Sequence, residues 1–313
     1  MPIALPVCDH YAGSEKLMRK SMALQQEFME SGQALFDITF DCEDGAAVGN
    51  EQQHAKLISQ LIADSDNRYE RIGARLHDPD SDYFAQDVKA ICATPKLAYV
   101  MIPKVRDAEQ LAAAIKTIAT QREFSGLPKL PVHALIETHS ALADVRRIAA
   151  LKQVESLSFG IMDFVSAHFG AVPAAAMRSP AQFTHPLVMR AKLEIAAACH
   201  QYGKVASHNV TTEIRDTAIV ASDAQRASSE CGFTRMWSIH PDQIKPIIKA
   251  FTPRISELQE ALSILSAARL TEWGPIHING RLHDRASYRY YWMILKRAKT
   301  NGQTLPEAAQ EFI

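Results

Sequence analysis

Two carboxylates follow two apolar segments of this sequence. Residues 132–136 and 157–162 are mostly apolar, as in buried parallel strands, and lead into Glu137 and Asp163. Burying a carboxylate costs free energy unless a cation, a hydrogen-bond donor or water meets it, so two acids at equivalent positions suggest a shared ligand. Two hard oxygen donors with room for water suit Mg²⁺ or Mn²⁺. Each acid could instead cap a following helix or pair with an arginine.

Strand-like and helix-like patterns alternate around these acids. The predicted strands cover residues 3–7, 35–42, 71–76, 97–103, 132–137, 157–163, 204–208 and 234–239. The predicted helices between them cover residues 14–31, 51–63, 82–92, 107–119, 140–151, 186–202 and 213–231. Eight strands with helices between them predict an α/β fold, a (β/α)8 TIM barrel, over residues 1–251. A doubly wound sheet is the alternative, but no Gly-rich dinucleotide turn follows the first strand.

Residues 252–313 exceed what a barrel requires. An apolar helix through Leu258, Leu262 and Leu265 is predicted there, then a stretch rich in turn residues at 272–280 and a last helix over 285–298. We expect residues 1–251 to form the catalytic domain and residues 252–313 to form a helical lid or an oligomerisation arm.

The composition argues against several functional classes. The net charge is −1 with dispersed lysines and arginines, which indicates neither a nucleic-acid nor a membrane partner. No apolar run reaches the length of about 18 residues that spans a membrane, and the N-terminus does not resemble an export signal. The five cysteines are odd in number and widely spaced, unlike a disulfide framework or a zinc motif. A cytoplasmic location is therefore expected.

Ionisable residues collect at one end of the predicted barrel. The carboxyl ends of the strands form the active face of TIM barrels, and nearly every predicted strand ends there in a titratable group. A purely structural role would not favour one end. The residues at these strand ends are Asp9, His10, Glu43, Asp44, Arg75, His77, Lys104, Glu137, Asp163, His208, Asn209 and His240.

The charges at this face suit chemistry beside a carbonyl group. Two acids would hold a divalent cation, the cation would chelate a 2-oxo or 2-hydroxy acid, and Arg75 would meet the remaining negative charge. Stabilising an enolate in this way allows carbon–carbon bonds to be broken or formed. Lys104 could form a Schiff base, but a salt bridge to the acidic end of the second strand is preferred. His77, His208 and His240 each have a plain alternative role as neutral, hydrogen-bonded side chains.

Six ordered motifs resemble the citrate lyase β-subunit and malyl-CoA lyase family. They are F-D-C-E-D-G-A at 40–46, A-R-L-H at 74–77, M-I-P-K-V at 101–105, A-L-I-E-T at 134–138, F-G-I-M-D-F at 159–164 and I-H-P-D-Q-I at 239–244. The resemblance implies an aldolase-type lyase on a (β/α)8 barrel. It further implies that Glu137 and Asp163 bind Mg²⁺, that Arg75 contacts the substrate carboxylate or oxyanion, and that Glu43 and Asp44 support Arg75 and a metal-bound water.

The resemblance also assigns residues around the substrate. Gly160, Met162 and Asp163 are expected to contact it. In this family the C-terminal segment usually reaches a neighbouring subunit and offers an aspartate, for which Asp284 in the stretch 280–284 is the candidate acid or base. The other role open to Asp284 is to cap the final helix. The ends of the first, third, sixth and seventh strands depart from the family's usual motifs, and Asn209 lies at one of these departures.

The resemblance implies a Mg²⁺-dependent carbon–carbon lyase that reversibly cleaves a 3-hydroxyacyl-CoA, such as malyl-CoA or citryl-CoA, into a 2-oxo acid and an acyl-CoA. A homo-oligomer, trimeric or hexameric, is expected. Two alternatives remain open: a CoA-independent class II aldolase of 4-hydroxy-2-oxo acids, and a catalytically idle barrel acting as a binding subunit.

Overall fold

The computed structural model describes residues 5–46 and 48–313. Eight parallel strands close into a barrel in which each strand pairs with its neighbours in sequence and β1 pairs with β8. They are β1 (Cys8–Ala12), β2 (Asp37–Asp41), β3 (Ile72–Arg75), β4 (Leu97–Ile102), β5 (Val132–Ile136), β6 (Val154–Phe159), β7 (Val205–His208) and β8 (Arg235–Ser238). The predicted TIM-barrel fold is confirmed.

Helices surround the barrel and bury apolar residues against it. Most strand residues are buried on both faces, which explains their near-continuous apolar character. The helices are α1 (Glu15–Glu30), α2 (Glu51–Ala63), α3 (Phe84–Ile91), α4 (Ala108–Phe124), α5 (His139–Ala143), α6 (Val145–Ala150), α7 (Ile161–Ser166), α8 (Pro186–Tyr202), α9 (Thr217–Ser229) and α10 (Pro241–Phe251). The single helix predicted at 140–151 is two short helices, α5 and α6.

The first strand lies further along the chain than predicted. The apolar run at 3–7 suggested a strand, but β1 begins at Cys8. Residues 3 and 4 of that run lie outside the described residues. Two of its residues, Asp9 and His10, are buried ionisable groups. The Asp9 carboxylate pairs with Arg235 at 3.0 Å and accepts a hydrogen bond from Thr39 at 2.8 Å. Because a buried ion pair replaces apolar contacts inside the barrel, a search for apolar residues misplaces this strand.

The sixth strand is shorter than predicted. It ends at Phe159, and Gly160 is the residue before α7. The Phe164 N–H donates a hydrogen bond of 3.1 Å to the Gly160 carbonyl, in the first turn of that helix. Asp163 therefore lies in the first turn of α7, not at the end of a strand, whereas Glu137 directly follows β5 as predicted.

The C-terminal segment has a hydrophobic cluster of its own. Helices α11 (Ile255–Leu270) and α12 (Arg285–Thr300) pack together through residues such as Leu265 and Leu295. Between them lies a hairpin, β9 (Ile276–Ile278) and β10 (Arg281–His283), which the sequence analysis did not predict. Its two-residue turn, Asn279 and Gly280, has positive φ at both positions, as this turn type requires. The division into a catalytic domain and a lid or arm stays a prediction.

The structure also describes the features that the sequence analysis considered for membrane spans and cysteine pairing. In the described part of the chain, no helix is long and apolar enough to cross a membrane. All five cysteines are buried and free.

Candidate active site

A cavity of about 340 Å³ opens at the carboxyl end of the barrel strands. Its lining includes both charged and apolar side chains. Of the site residues expected from the sequence, Asp44, Arg75, Glu137, Gly160, Met162 and Asp163 line it. The other lining residues are Tyr11, Gly13, Leu17, Asp41, Gly45, Leu135, Phe159, Ile161, Asn209, Val210, Trp237 and Ile239.

Glu137 is a buried carboxyl group held from two directions. Its side chain follows β5, and its Oε1 accepts a hydrogen bond of 2.7 Å from the Lys104 backbone N–H. Lys104 has a φ of 48°, an uncommon value for a residue other than glycine, which marks a constrained turn at this position. A Cβ atom at Gly160 would lie 2.2 Å from Glu137 Oε2, so only glycine leaves room for the carboxylate.

Burial and a second acid change the protonation of Glu137. Burial, and then the charge of Asp163, raise the pKa of Glu137 from its ordinary value of 4.5 to about 8. The raised pKa of Glu137 indicates negative charge in the cavity that no cation relieves. A bound cation would relieve it.

Arg75 is fixed by two acids beside the cavity. Its Nε and Nη2 donate to the two oxygens of Asp41 at 2.7 and 2.6 Å, and its Nη1 lies 3.0 Å from Glu43 Oε2. Burial alone would raise the pKa of Asp41, but the charge of Arg75 outweighs it and lowers that pKa. Asp41 also accepts hydrogen bonds from the backbone N–H groups of Glu43 and Gly45. The sequence analysis did not identify Asp41, although it supplies the fork that orients Arg75.

Lys104 makes the predicted salt bridge. Its ammonium group contacts the carboxylate of Glu43 and lies 3.2 Å from Asp44 Oδ1. Burial opposes the charged form, but these partners outweigh it and raise the pKa of Lys104. A protonated amine is a poor nucleophile, so the structure does not favour a Schiff base.

The acids suit Mg²⁺ better than a metal held by protein ligands alone. The described residues contain no group of three or more His, Cys, Asp or Glu side chains arranged to hold a metal ion. Mg²⁺ commonly binds through one or two carboxylates and keeps several waters, and substrate oxygens replace some of them. Glu137 and Asp163 fit this pattern, and the glycine at 160 keeps the space beside Glu137 open.

An aromatic pair forms part of the cavity wall beside Arg75. The rings of Tyr11 and Trp237 stack with centroids 4.4 Å apart, and the Arg75 guanidinium lies 5.3 Å from the Tyr11 ring centroid. Trp237 Nε1 donates to Ser158 at 3.1 Å. The buried Tyr11 hydroxyl has no hydrogen-bond partner among the described residues. The sequence analysis missed Tyr11 because it placed the first strand too early.

The three histidines at the strand ends have structural partners. His208 is buried, and burial, with the nearby Lys192 charge, lowers its pKa well below 6.5, as for a neutral side chain. His77 pairs with Asp87 at 2.7 Å, and this contact outweighs burial and raises its pKa. His240 caps α10. None of them lines the cavity.

Asp284 lies away from the cavity within one chain. It is exposed and caps α12, where its Oδ1 accepts hydrogen bonds from the backbone N–H groups of Ala286 at 2.9 Å and Ser287 at 3.3 Å. Its alternative role as a helix cap is therefore present in the structure. Its expected role in a neighbouring subunit's site stays a prediction.

Comparison with known proteins identifies the family. Residues 27–241 match the model of the family described as HpcH/HpaI aldolase/citrate lyase. The chain belongs to this family. It is therefore an enzyme, a metal-dependent lyase of the aldolase/citrate lyase type, as the resemblance implied.

Several named relatives agree with this assignment. The chain is 26% identical over 277 residues to an L-malyl-CoA/beta-methylmalyl-CoA lyase of Cereibacter sphaeroides, with 84% of this chain and 87% of the relative covered. A crystal structure described as a citrate lyase from Burkholderia xenovorans is 53% identical and has a TM-score of 0.92, with 100% of this chain and 97% of that chain covered. The fold of protein CitE from Mycobacterium tuberculosis, solved with magnesium, acetoacetate and coenzyme A, is similar at 23% identity and a TM-score of 0.72, with 96% and 100% covered.

Proposed function

We propose that this enzyme is a Mg²⁺-dependent carbon–carbon lyase that reversibly cleaves a 3-hydroxyacyl-CoA into a 2-oxo acid and an acyl-CoA. The observation that carries the proposal is the meeting of Glu137, Asp163 and Arg75 in one cavity at the carboxyl end of the barrel. The names of the malyl-CoA lyase relatives and the ligands named with the CitE structure support the same substrate class.

Glu137 and Asp163 are the proposed metal ligands. Mg²⁺ bound there would act as a Lewis acid toward the oxygens of a 2-oxo acid. Mn²⁺ accepts the same oxygen donors and is the proposed substitute. The Lys104 backbone N–H fixes one oxygen of Glu137, so the carboxylate is oriented before any ligand binds.

Arg75 is the proposed contact for the substrate carboxylate or oxyanion. Asp41 and Glu43 occupy three of its nitrogens from one side, and each terminal nitrogen carries a second N–H for a ligand. Lys104 and Asp44 extend this ion-pair network toward the mouth of the cavity. Gly160 and Met162 complete the proposed substrate contacts along the cavity wall.

The proton transfers follow from the bond that breaks. In cleavage, a base takes the proton of the 3-hydroxyl group, whose oxygen becomes the oxo group of the released acid. The bond between carbons 2 and 3 breaks, and its electron pair goes to carbon 2 of the acyl-CoA, which takes up a proton. We assign this last proton to Asp284 of a neighbouring subunit, because Asp284 does not line the cavity of its own chain. An oligomer, trimeric or hexameric, is therefore part of the proposal, as is a cytoplasmic location.

A direct assay tests the proposal. The purified protein is incubated with Mg²⁺, acetyl-CoA and either glyoxylate or pyruvate, and the new CoA ester is detected by mass spectrometry. A condensation product that disappears in Glu137→Gln but not in Glu123→Gln, an exposed glutamate of α4, supports the proposal. Cleavage of a free 4-hydroxy-2-oxo acid, with no CoA ester formed or split, would instead identify the CoA-independent aldolase.

A further inference from the structure

The cavity has few positive charges for the number of carboxyl groups it contains. Asp41, Asp44, Glu137 and Asp163 line it, and Arg75 is its one cationic lining residue among those the structure describes. Residues 1–4 and 47, which lie outside the described residues, include no lysine, arginine or histidine. Lys104, outside this lining, pairs with Asp44 and with Glu43. With Lys104 and Glu43 included, four positive charges, from a divalent cation, Arg75 and Lys104, would face five carboxyl groups even before a substrate binds.

Part of the hydrogen-bonding capacity of Arg75 is already used by neighbouring acids. Asp41 takes a bidentate contact at 2.7 and 2.6 Å, and Glu43 takes a third at 3.0 Å. Its remaining N–H groups can serve one substrate carboxylate or oxyanion. They do not leave a second fork for another carboxylate.

The part of the cavity wall around Tyr11 and Trp237 is apolar. The stacked rings of Tyr11 and Trp237 belong to a cluster with Met101, Leu135 and Val210 that closes the centre of the barrel. The Tyr11 hydroxyl is a neutral donor, since burial raises its pKa well above 10. The cation beside this wall is Arg75, 5.3 Å from the Tyr11 ring centroid, and Asp41 and Glu43 already engage it. A second carboxylate placed against the wall would therefore be desolvated without a charged partner of its own.

The polar group of that wall, Asn209, points the same way. Lys192 has donors only, so Gln182 Oε1, 2.9 Å away, accepts from it. The same Gln182 oxygen lies 3.0 Å from Asn209, which must therefore present its Nδ2. Asn209 Oδ1 is left buried with no hydrogen-bond partner among the described residues. Both N–H groups of Asn209 are engaged, by Gln182 Oε1 and by the Val210 carbonyl at 2.8 Å, so this side chain offers a carboxylate neither a charge nor a free donor.

We infer that the 2-oxo acid this enzyme releases or condenses carries one carboxylate and an uncharged, largely apolar substituent, and that dicarboxylic 2-oxo acids such as oxaloacetate are discriminated against. The inference rests on the proposed function and narrows its substrate. The carboxylate and the oxo group lie at the acids and Arg75, and the substituent lies toward Tyr11 and Trp237.

The test compares two acids that differ in one charge. Oxaloacetate and 2-oxopentanoate are titrated into the purified enzyme with Mg²⁺ by calorimetry. We expect 2-oxopentanoate to bind at least about tenfold more tightly, because oxaloacetate leaves a desolvated carboxylate unpaired. Equal binding, or tighter binding of oxaloacetate, would overturn the inference while leaving the proposed function intact. Binding of neither acid overturns both.

A charge-reversal variant sharpens the result. Ile239 lines the cavity and is 40% exposed, so a longer side chain can extend toward solvent. Its backbone N–H donates to Gln243 at 2.9 Å, a contact that does not depend on the side chain at 239. Ile239→Lys should shift the preference toward oxaloacetate by at least about tenfold, whereas the uncharged Ile239→Gln should not. Leu17→Lys, at another half-exposed lining position, is the second variant if the first does not fold. The same preference in the folded lysine variants as in the wild type would contradict the account.

Discussion

The raised pKa of Glu137 makes Mg²⁺ affinity depend on pH. Its carboxyl group has a pKa of about 8 without a metal, because it is buried and lies near Asp163. A metal ligand must be deprotonated, so Mg²⁺ competes with this proton. The affinity should therefore rise with pH and level off above about pH 8.

The size of the effect follows from the ionised fraction. Only about 1% of Glu137 is ionised at pH 6 and about half at pH 8, so the apparent affinity should increase about 50-fold between them. At pH 6 to 7, each Mg²⁺ that binds should release about one proton. Calorimetry at pH 6, 7 and 8, in two buffers with different ionisation enthalpies, measures both quantities. Glu137→Gln should bind Mg²⁺ weakly and with little pH dependence.

The same group sets a pH dependence of stability. Between pH 4.5 and 8 the folded metal-free protein binds more protons at Glu137 than the unfolded chain, so its free energy of unfolding falls as pH rises. The slope approaches about 1.4 kcal/mol per pH unit, or about 2–3 kcal/mol between pH 5.5 and 7.5. Glu137→Gln should lack this part of the slope in urea unfolding.

An apparent Mg²⁺ affinity that changes less than about threefold from pH 6 to 8, with no proton release, would refute the reasoning.

Three further variants test other parts of the site. Gly160→Ala should weaken Mg²⁺ binding at least about tenfold, because the added methyl group would displace the Glu137 carboxylate. Circular dichroism checks that the barrel stays folded, and an unchanged Mg²⁺ affinity would contradict the close approach of residue 160 to Glu137. Asp41→Asn should lower the free energy of unfolding by about 3–5 kcal/mol, since it leaves the charge of Arg75 incompletely paired, and an unchanged urea midpoint would show that this pair is unimportant. Asp284→Asn should be inactive alone but regain part of the activity when refolded together with Glu137→Gln; no recovery in confirmed mixed oligomers would place the acid elsewhere.

The sequence predicted the barrel because each of its signals is local. Alternating strands and helices require only the spacing of apolar residues, and Gly203 marked the end of α8, where it adopts a φ of 65°. The predicted bounds of α2 and α8 match those observed. Glu137 was placed correctly because it directly follows a mostly apolar strand, in which His133 is the one polar residue.

The errors occur where a distant partner determines the structure. Asp9 is buried in β1 only because Arg235, on β8, pairs with it, and no local pattern shows that contact. Asp163 was assigned to a strand because 157–162 is mostly apolar, and periodicity alone does not separate a short buried strand from the start of a helix. Asp41 is the last residue of β2, but the predicted strand continued to residue 42, so an inspection of the predicted strand ends passed over the residue that orients Arg75.

Calorimetric titration with glyoxylate, pyruvate and oxaloacetate, with and without Mg²⁺ and then with acetyl-CoA, tests the central claim most directly. We expect a 2-oxo acid to bind only when Mg²⁺ is present, and acetyl-CoA to add affinity. Glu137→Gln should not bind the acid, with or without Mg²⁺. Binding of these acids with equal affinity in the absence of any divalent metal would contradict it.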